Sequence, residues 1–198
     1  NTGCDCQGLD NRSSAAWPAA CVLSVDTVQN RSCADYEITD TVLDQLRTAG
    51  QQWRANGTNF FIGLGLHKPH LPWQAKKEHF DLYPVDGIAI AKHQRAPIGM
   101  PGMAWANTDS PNPWTPIDEG GQRLARRAYY AAVTGMDEQL GRLLGVMAPD
   151  AERTAVVFHG DHGLSLGEYG VAGKGKLLDV DTRVPFVMRA PTLAADAA

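Results

Sequence analysis

From Gln122 to Met147 apolar residues return every three or four positions: Leu124, Ala128, Ala132, Met136, Leu140, Leu143 and Met147. That period keeps one apolar face through roughly seven helical turns. Pro149 stops the helix. The run that follows, Thr154–Phe158, is short, continuous and rich in valine, so it reads as a buried strand. A long helix that delivers the chain straight into a buried strand narrows the fold to helices packed on a sheet.

The same unit occurs earlier. Ile38, Val42, Leu46, Ala49 and Trp53 form one stripe, which predicts a helix over 35–55, ended by Asn56-Gly57. Ser32 to Asp35 is a weak capping-box match at its start. The apolar run Asn59–Leu66 then predicts a buried parallel strand. His67–Trp73, with two prolines, predicts an ordered extended loop. A short helix is expected within 74–82. Residues 84–120 are rich in Pro and Gly and form a long loop, with Trp105 and Trp114 expected to pack it down. His159–Leu178 is a Gly-rich loop and Val184–Met188 a third strand. This order predicts an α/β fold, a mainly parallel sheet flanked by helices, with all of 1–198 belonging to one catalytic domain.

Composition excludes several alternatives. With 43% hydrophobic and 20% charged residues, the chain suits a globular core. A net charge of -4 without a Lys/Arg-rich stretch argues against a nucleic-acid partner. No apolar run is long enough to span a bilayer. The cysteines Cys4, Cys6, Cys21 and Cys33 cluster at one end and lack the paired Cys-x-x-Cys knuckles of a zinc ribbon. Together with sequons at Asn11, Asn30 and Asn56, they suit disulfides in a protein of the secretory pathway. The absence of an initiator Met and the Ala-rich end at 194–198 lead us to expect a segment of a longer protein.

Two polar clusters stand where two predicted strands end, which is where ligands sit on open α/β sheets. One is His67-Lys68-Pro69-His70; the other is His159-Gly160-Asp161-His162-Gly163. If the strands are parallel neighbours, the clusters converge. Asp161 and His162 are candidate metal ligands, a carboxylate and an imidazole that suit zinc or manganese. Asp-His-Gly alone fits a turn aspartate beside a surface histidine equally well. His67 and His70 can donate to an anion or serve as a general acid. Lys174 and Lys176 add ammonium groups on a Gly-rich stretch suited to an anionic group. There is no Gly-x-Ser-x-Gly elbow and no P-loop.

Taken together, the segments Phe60–Pro72, Tyr129–Leu144, Asp161–Lys174 and Val184–Phe186 resemble the sulfatase family of the alkaline-phosphatase superfamily. The resemblance runs from about Asp35 to Pro191. It implies an alkaline-phosphatase-like domain, present in part, that removes O-sulfate from sulfated carbohydrate in a lysosomal or extracellular setting. It implies that Asp161 and His162 bind a divalent cation, calcium in this family. It implies that His67 and Lys174 contact the sulfate and that Lys68 and His70 shape the pocket. It also implies a formylglycine nucleophile made from a Cys-x-Pro-Ser-Arg motif. None of the four cysteines stands in that motif, so the nucleophile and a pair of aspartate ligands are expected upstream of Asn1. Two rival readings are another hydrolase of the superfamily, such as a phosphodiesterase, and an inactive domain that binds sulfated glycans.

Overall fold

The computed structural model describes residues 6–8, 21–23, 34–105 and 118–191. Strands β1 (Cys6–Gly8), β2 (Cys21–Leu23) and β3 (Gln74–Ala75) form one small sheet, β1–β2 antiparallel and β2–β3 parallel. Helix α1 spans Ala34–Asn56, α2 Lys77–Asp81 and α3 Glu119–Met147. Strand β4 (Val156–His159) pairs with β7 (Phe186–Arg189), and β5 (Ser165–Leu166) pairs with β6 (Ala172–Gly173). A one-turn helix α4, Asp179–Thr182, precedes β7.

Helix α3 is the axis of the molecule. Asp118 caps it by accepting from the Gly121 N–H at 2.7 Å, which satisfies one of its free N-terminal donors. Its first half packs Ala125, Ala128, Ala131 and Ala132 against Trp73, Ala75, Phe80 and Leu166. Its second half packs Leu143 against Val42, Leu43 and Leu46 of α1. The buried face therefore lies one position beside the predicted stripe. Leu124 is 40% exposed, and the face includes two fully buried glutamines, Gln122 and Gln139. No described helix is long and apolar enough to cross a membrane.

Two sequence expectations are corrected. Residues 59–66 have no ladder partner among the described residues. The segment keeps the alternation of a strand: Ile62 and Leu64 pack on the α1–α3 cluster while Phe61 is 95% exposed. Gly63 and Gly65 weaken it as a strand, and without a neighbour an extended run makes no ladder. The sheet is also not mainly parallel among the described residues, since β2–β3 is the one parallel pair. The link between β4 and β7 holds a short ribbon and a one-turn helix, and it closes beside the end of β4, where the Gly160 N–H donates to the Pro185 carbonyl at 3.1 Å. The cysteines' side chains, Trp114, Ser32 and the Asn11 and Asn30 sequons lie outside the described residues.

Candidate anion-binding site

The His67–Trp73 loop is anchored at both ends. Trp73 is 1% exposed, stands edge-on to Tyr129 and donates from Nε1 to the Pro69 carbonyl at 3.0 Å. At the other end the backbone N–H groups of His67 and Lys68 donate to the two carboxylate oxygens of Asp35, at 2.6 and 3.0 Å. Between these points the Lys68–Pro69 and Leu71–Pro72 peptides are cis, and the His70 N–H closes a turn on the His67 carbonyl at 3.0 Å. The Lys68 ammonium folds back on the loop and donates to the carbonyls of Pro72 and His70. Burial holds Lys68 below the usual lysine range, and the Asp35 carboxylate partly offsets this. The His67 and His70 rings lie against each other with centroids 4.8 Å apart, and both side chains reach the surface.

The second loop is built on glycines and tied from beneath. The Gly163 N–H donates to the Asp181 carbonyl at 2.7 Å. A Cβ at Gly163 would stand 1.9 Å from the Val180 carbonyl oxygen, so no other residue fits there without moving backbone. The buried Asp181 carboxylate accepts from Ser165 Oγ at 3.0 Å and from the Lys176 N–H at 3.2 Å. Burial raises the Asp181 carboxyl above its ordinary range; the bonds from Ser165 and Lys176 and the Lys176 charge pull the other way. Arg126 of α3 pairs with Glu168 and donates to the Leu166 carbonyl, while the Glu168 carboxylate accepts from the Leu166 N–H at 2.7 Å. Lys176 is 5% exposed and Lys174 is exposed. Of the two lysines, Lys174 is the one presented to solvent.

The loops meet where Lys174 Nζ lies 3.1 Å from His70 Nε2. His70 Nδ1 lies 2.7 Å from the Leu71 carbonyl, which can only accept, so Nδ1 carries the proton and Nε2 accepts from Lys174. Lys174 also reaches Asp161 electrostatically. The Asp161 carboxyl sits below its ordinary range: slight desolvation pushes it up, and the His162 N–H, the His162 ring and Lys174 outweigh that. The Tyr129 hydroxyl beneath is raised by burial and by the Asp161 charge. Asp161, His70 and Lys174 thus share one surface, with His67 beside His70 and His162 beside Asp161.

His162 uses the same bonding device. Its Nδ1 donates to the Gly163 carbonyl at 2.8 Å, which leaves the Nε2 lone pair 3.4 Å from Asp161 Oδ2. Both atoms are acceptors in this tautomer and both are open to solvent. A ligating histidine with its other nitrogen donated to a carbonyl is the usual metal arrangement. The pair therefore suits two positions of a metal shell. Among the described residues no third His, Cys, Asp or Glu joins them, and calcium takes six to eight ligands.

Sequence reasoning missed the residues that hold the loops. Asp35 had only a weak capping signal, Glu168 appeared only within the Asp161–Lys174 stretch of the resemblance, and Asp181 and Arg126 had no signal. Their partners are backbone groups and side chains that no sequence motif marks.

The sulfatase family model matches residues 6–197. Human iduronate 2-sulfatase is 31% identical over 206 residues, an alignment covering 94% of this chain and 35% of that protein. A sulfatase of Formosa agariphila is 32% identical over 150 residues, covering 68% of this chain and 28% of that one. A phosphonate monoester hydrolase from Silicibacter pomeroyi superposes with a TM-score of 0.61 at 20% identity, covering 96% of this chain and 38% of that structure. The chain belongs to the sulfatase family and has its alkaline-phosphatase-like α/β fold. It spans about a third of the length of the curated relatives it matches.

Proposed function

We propose that this chain serves a sulfuric ester hydrolase of iduronate-2-sulfatase type, which removes O-sulfate from sulfated sugars or glycosaminoglycans. One observation carries the reading: in a sulfatase-family chain, Lys174 and His70 meet at 3.1 Å across two loops that share nothing else in sequence. Hydrolysis of a sulfate ester needs positive charge and hydrogen-bond donors fixed against a multi-oxygen anion. Lys174 supplies the point charge. His67, exposed beside His70, supplies a donor to a sulfate oxygen or a proton to the leaving alcohol. His70 orients Lys174, and Lys68, with its ammonium bonded to the loop carbonyls, shapes the wall.

Asp161 Oδ2 and His162 Nε2 would hold one divalent cation, calcium in our reading, together with donors from beyond the described residues. A cation there supplies further positive charge against the sulfate oxygens. None of the four cysteines stands in a Cys-x-Pro-Ser-Arg motif, so these residues bind and orient the sulfate while a formylglycine nucleophile is supplied from elsewhere. We place the protein in the secretory pathway, lysosomal or extracellular. The sequon asparagine Asn56 is exposed at the end of α1, where it is open to glycosylation.

Calorimetric titration of the 198-residue chain with 4-nitrophenyl sulfate tests the reading. We expect saturable binding that Lys174→Met weakens about tenfold or more, the scale of one hydrogen bond to a charged group. Absent binding would contradict it. Tighter binding of a phosphonate monoester would favour a phosphorus-directed hydrolase of the same fold.

A further inference from the structure

We infer that Asp35 is a positioning residue of this site: its carboxylate sets the start of the His67–His70 loop and thereby the place of His67. The inference rests on the reading that His67 faces the sulfate.

Asp35 lies in the first turn of α1, 32 positions before His67, and is 6% exposed. Its two oxygens accept from two consecutive backbone donors, His67 N–H at 2.6 Å and Lys68 N–H at 3.0 Å. Residues 59–66 make no ladder among the described residues. Of the loop's other bonds, Lys174 reaches His70 at the far end, while those from Lys68 Nζ, Trp73 Nε1 and the His70 N–H are internal to 67–73. Asp35 ties the His67 end to a helix, and α1 in turn packs on α3 through Val42, Leu43, Leu46 and Leu143.

The chemistry selects a carboxylate. Two parallel N–H groups need two acceptors on one planar group, and ionised Asp offers both. Asparagine has the same shape but one acceptor; its NH2 would face a backbone N–H, donor against donor. Its effect should therefore reach His67 without removing any side chain that touches ligand.

Two measurements on the 198-residue chain decide this. In the wild type, the His67 and Lys68 amide protons should exchange about tenfold or more slowly than those of Gly63 and Gly65. Exchange at the rate of those neighbours would overturn the clamp. In a titration with inorganic sulfate followed by NMR, Asp35→Asn should weaken the sulfate-dependent shift of the His67 ring about tenfold and move the Lys68 amide upfield. Asp35→Glu, which keeps both oxygens, should recover part of the affinity. Unchanged sulfate affinity in Asp35→Asn would overturn the positioning role. Should Asp35→Asn fail to melt cooperatively, the wild-type amides decide alone. A wild type with protected amides but no response to sulfate would keep the clamp, sink the functional reading and with it the role of Asp35 in sulfate binding.

Discussion

The two loops that build the site reach order by opposite means. The His67–Trp73 loop uses prolines, which remove freedom from the backbone, and needs few external ties: Asp35 at one end and the buried Trp73 at the other. The Gly160–Lys176 loop uses glycines, which add freedom, and takes its shape from Asp181, the Arg126–Glu168 pair and the close approach to α4. In both, the chemical side chains are exposed and the shaping groups are buried. Damage to the second loop should therefore cost stability, and damage to exposed residues of either loop should cost binding.

The largest effect is expected at Gly163. Gly163→Ala drives a methyl into the Val180 carbonyl at 1.9 Å, so we expect a loss of about 3 kcal/mol or more, read from urea midpoints. Next is Gly167→Ala. Its φ of +108° and a Cβ 2.5 Å from the buried Gln122 side chain predict about 2 kcal/mol by the same measurement. No comparable loss is expected at the exposed positions of the proline loop, and a larger loss from His67→Ala or His70→Ala would break the contrast.

Asp181 sharpens the contrast through pH. Its carboxyl is raised in the folded state, so the folded chain binds this proton more tightly than the unfolded chain. Its contribution to stability therefore falls as pH rises through the carboxylate range. We expect the stability of wild type relative to Asp181→Asn to improve on acidification from neutral pH, as followed by denaturant titrations at several pH values. A relative stability that worsened on acidification would contradict the sign. The smallest stability effect is expected at Lys174. Because Lys174 is exposed, Lys174→Met should change the unfolding free energy by less than about 0.5 kcal/mol while impairing sulfate binding.

The same division explains what the sequence disclosed. Helices α1 and α3 were legible because their periods are long, and β4 and β7 because short apolar runs follow a helix or a Gly loop. His67, His70, Asp161, His162 and Lys174 were legible as reactive residue types gathered at element ends. The direction of β7 was not legible, because a hydrophobic run carries no sign of which way its partner runs. Nor was the pairing of 59–66, since its alternation of buried Ile62 and Leu64 with exposed Phe61 needs no ladder. Asp35 and Asp181 stayed hidden because much of their bonding goes to backbone groups that no side-chain motif marks.

That the two loops form one site rests most directly on the contact of His70 with Lys174. A double-mutant cycle on 4-nitrophenyl sulfate affinity, using His70→Ala, Lys174→Met and the pair, measures it. If the loops act as one site, the two substitutions couple by about 1 kcal/mol or more. Effects that add to within about 0.3 kcal/mol would show that the loops bind independently and would contradict a shared site.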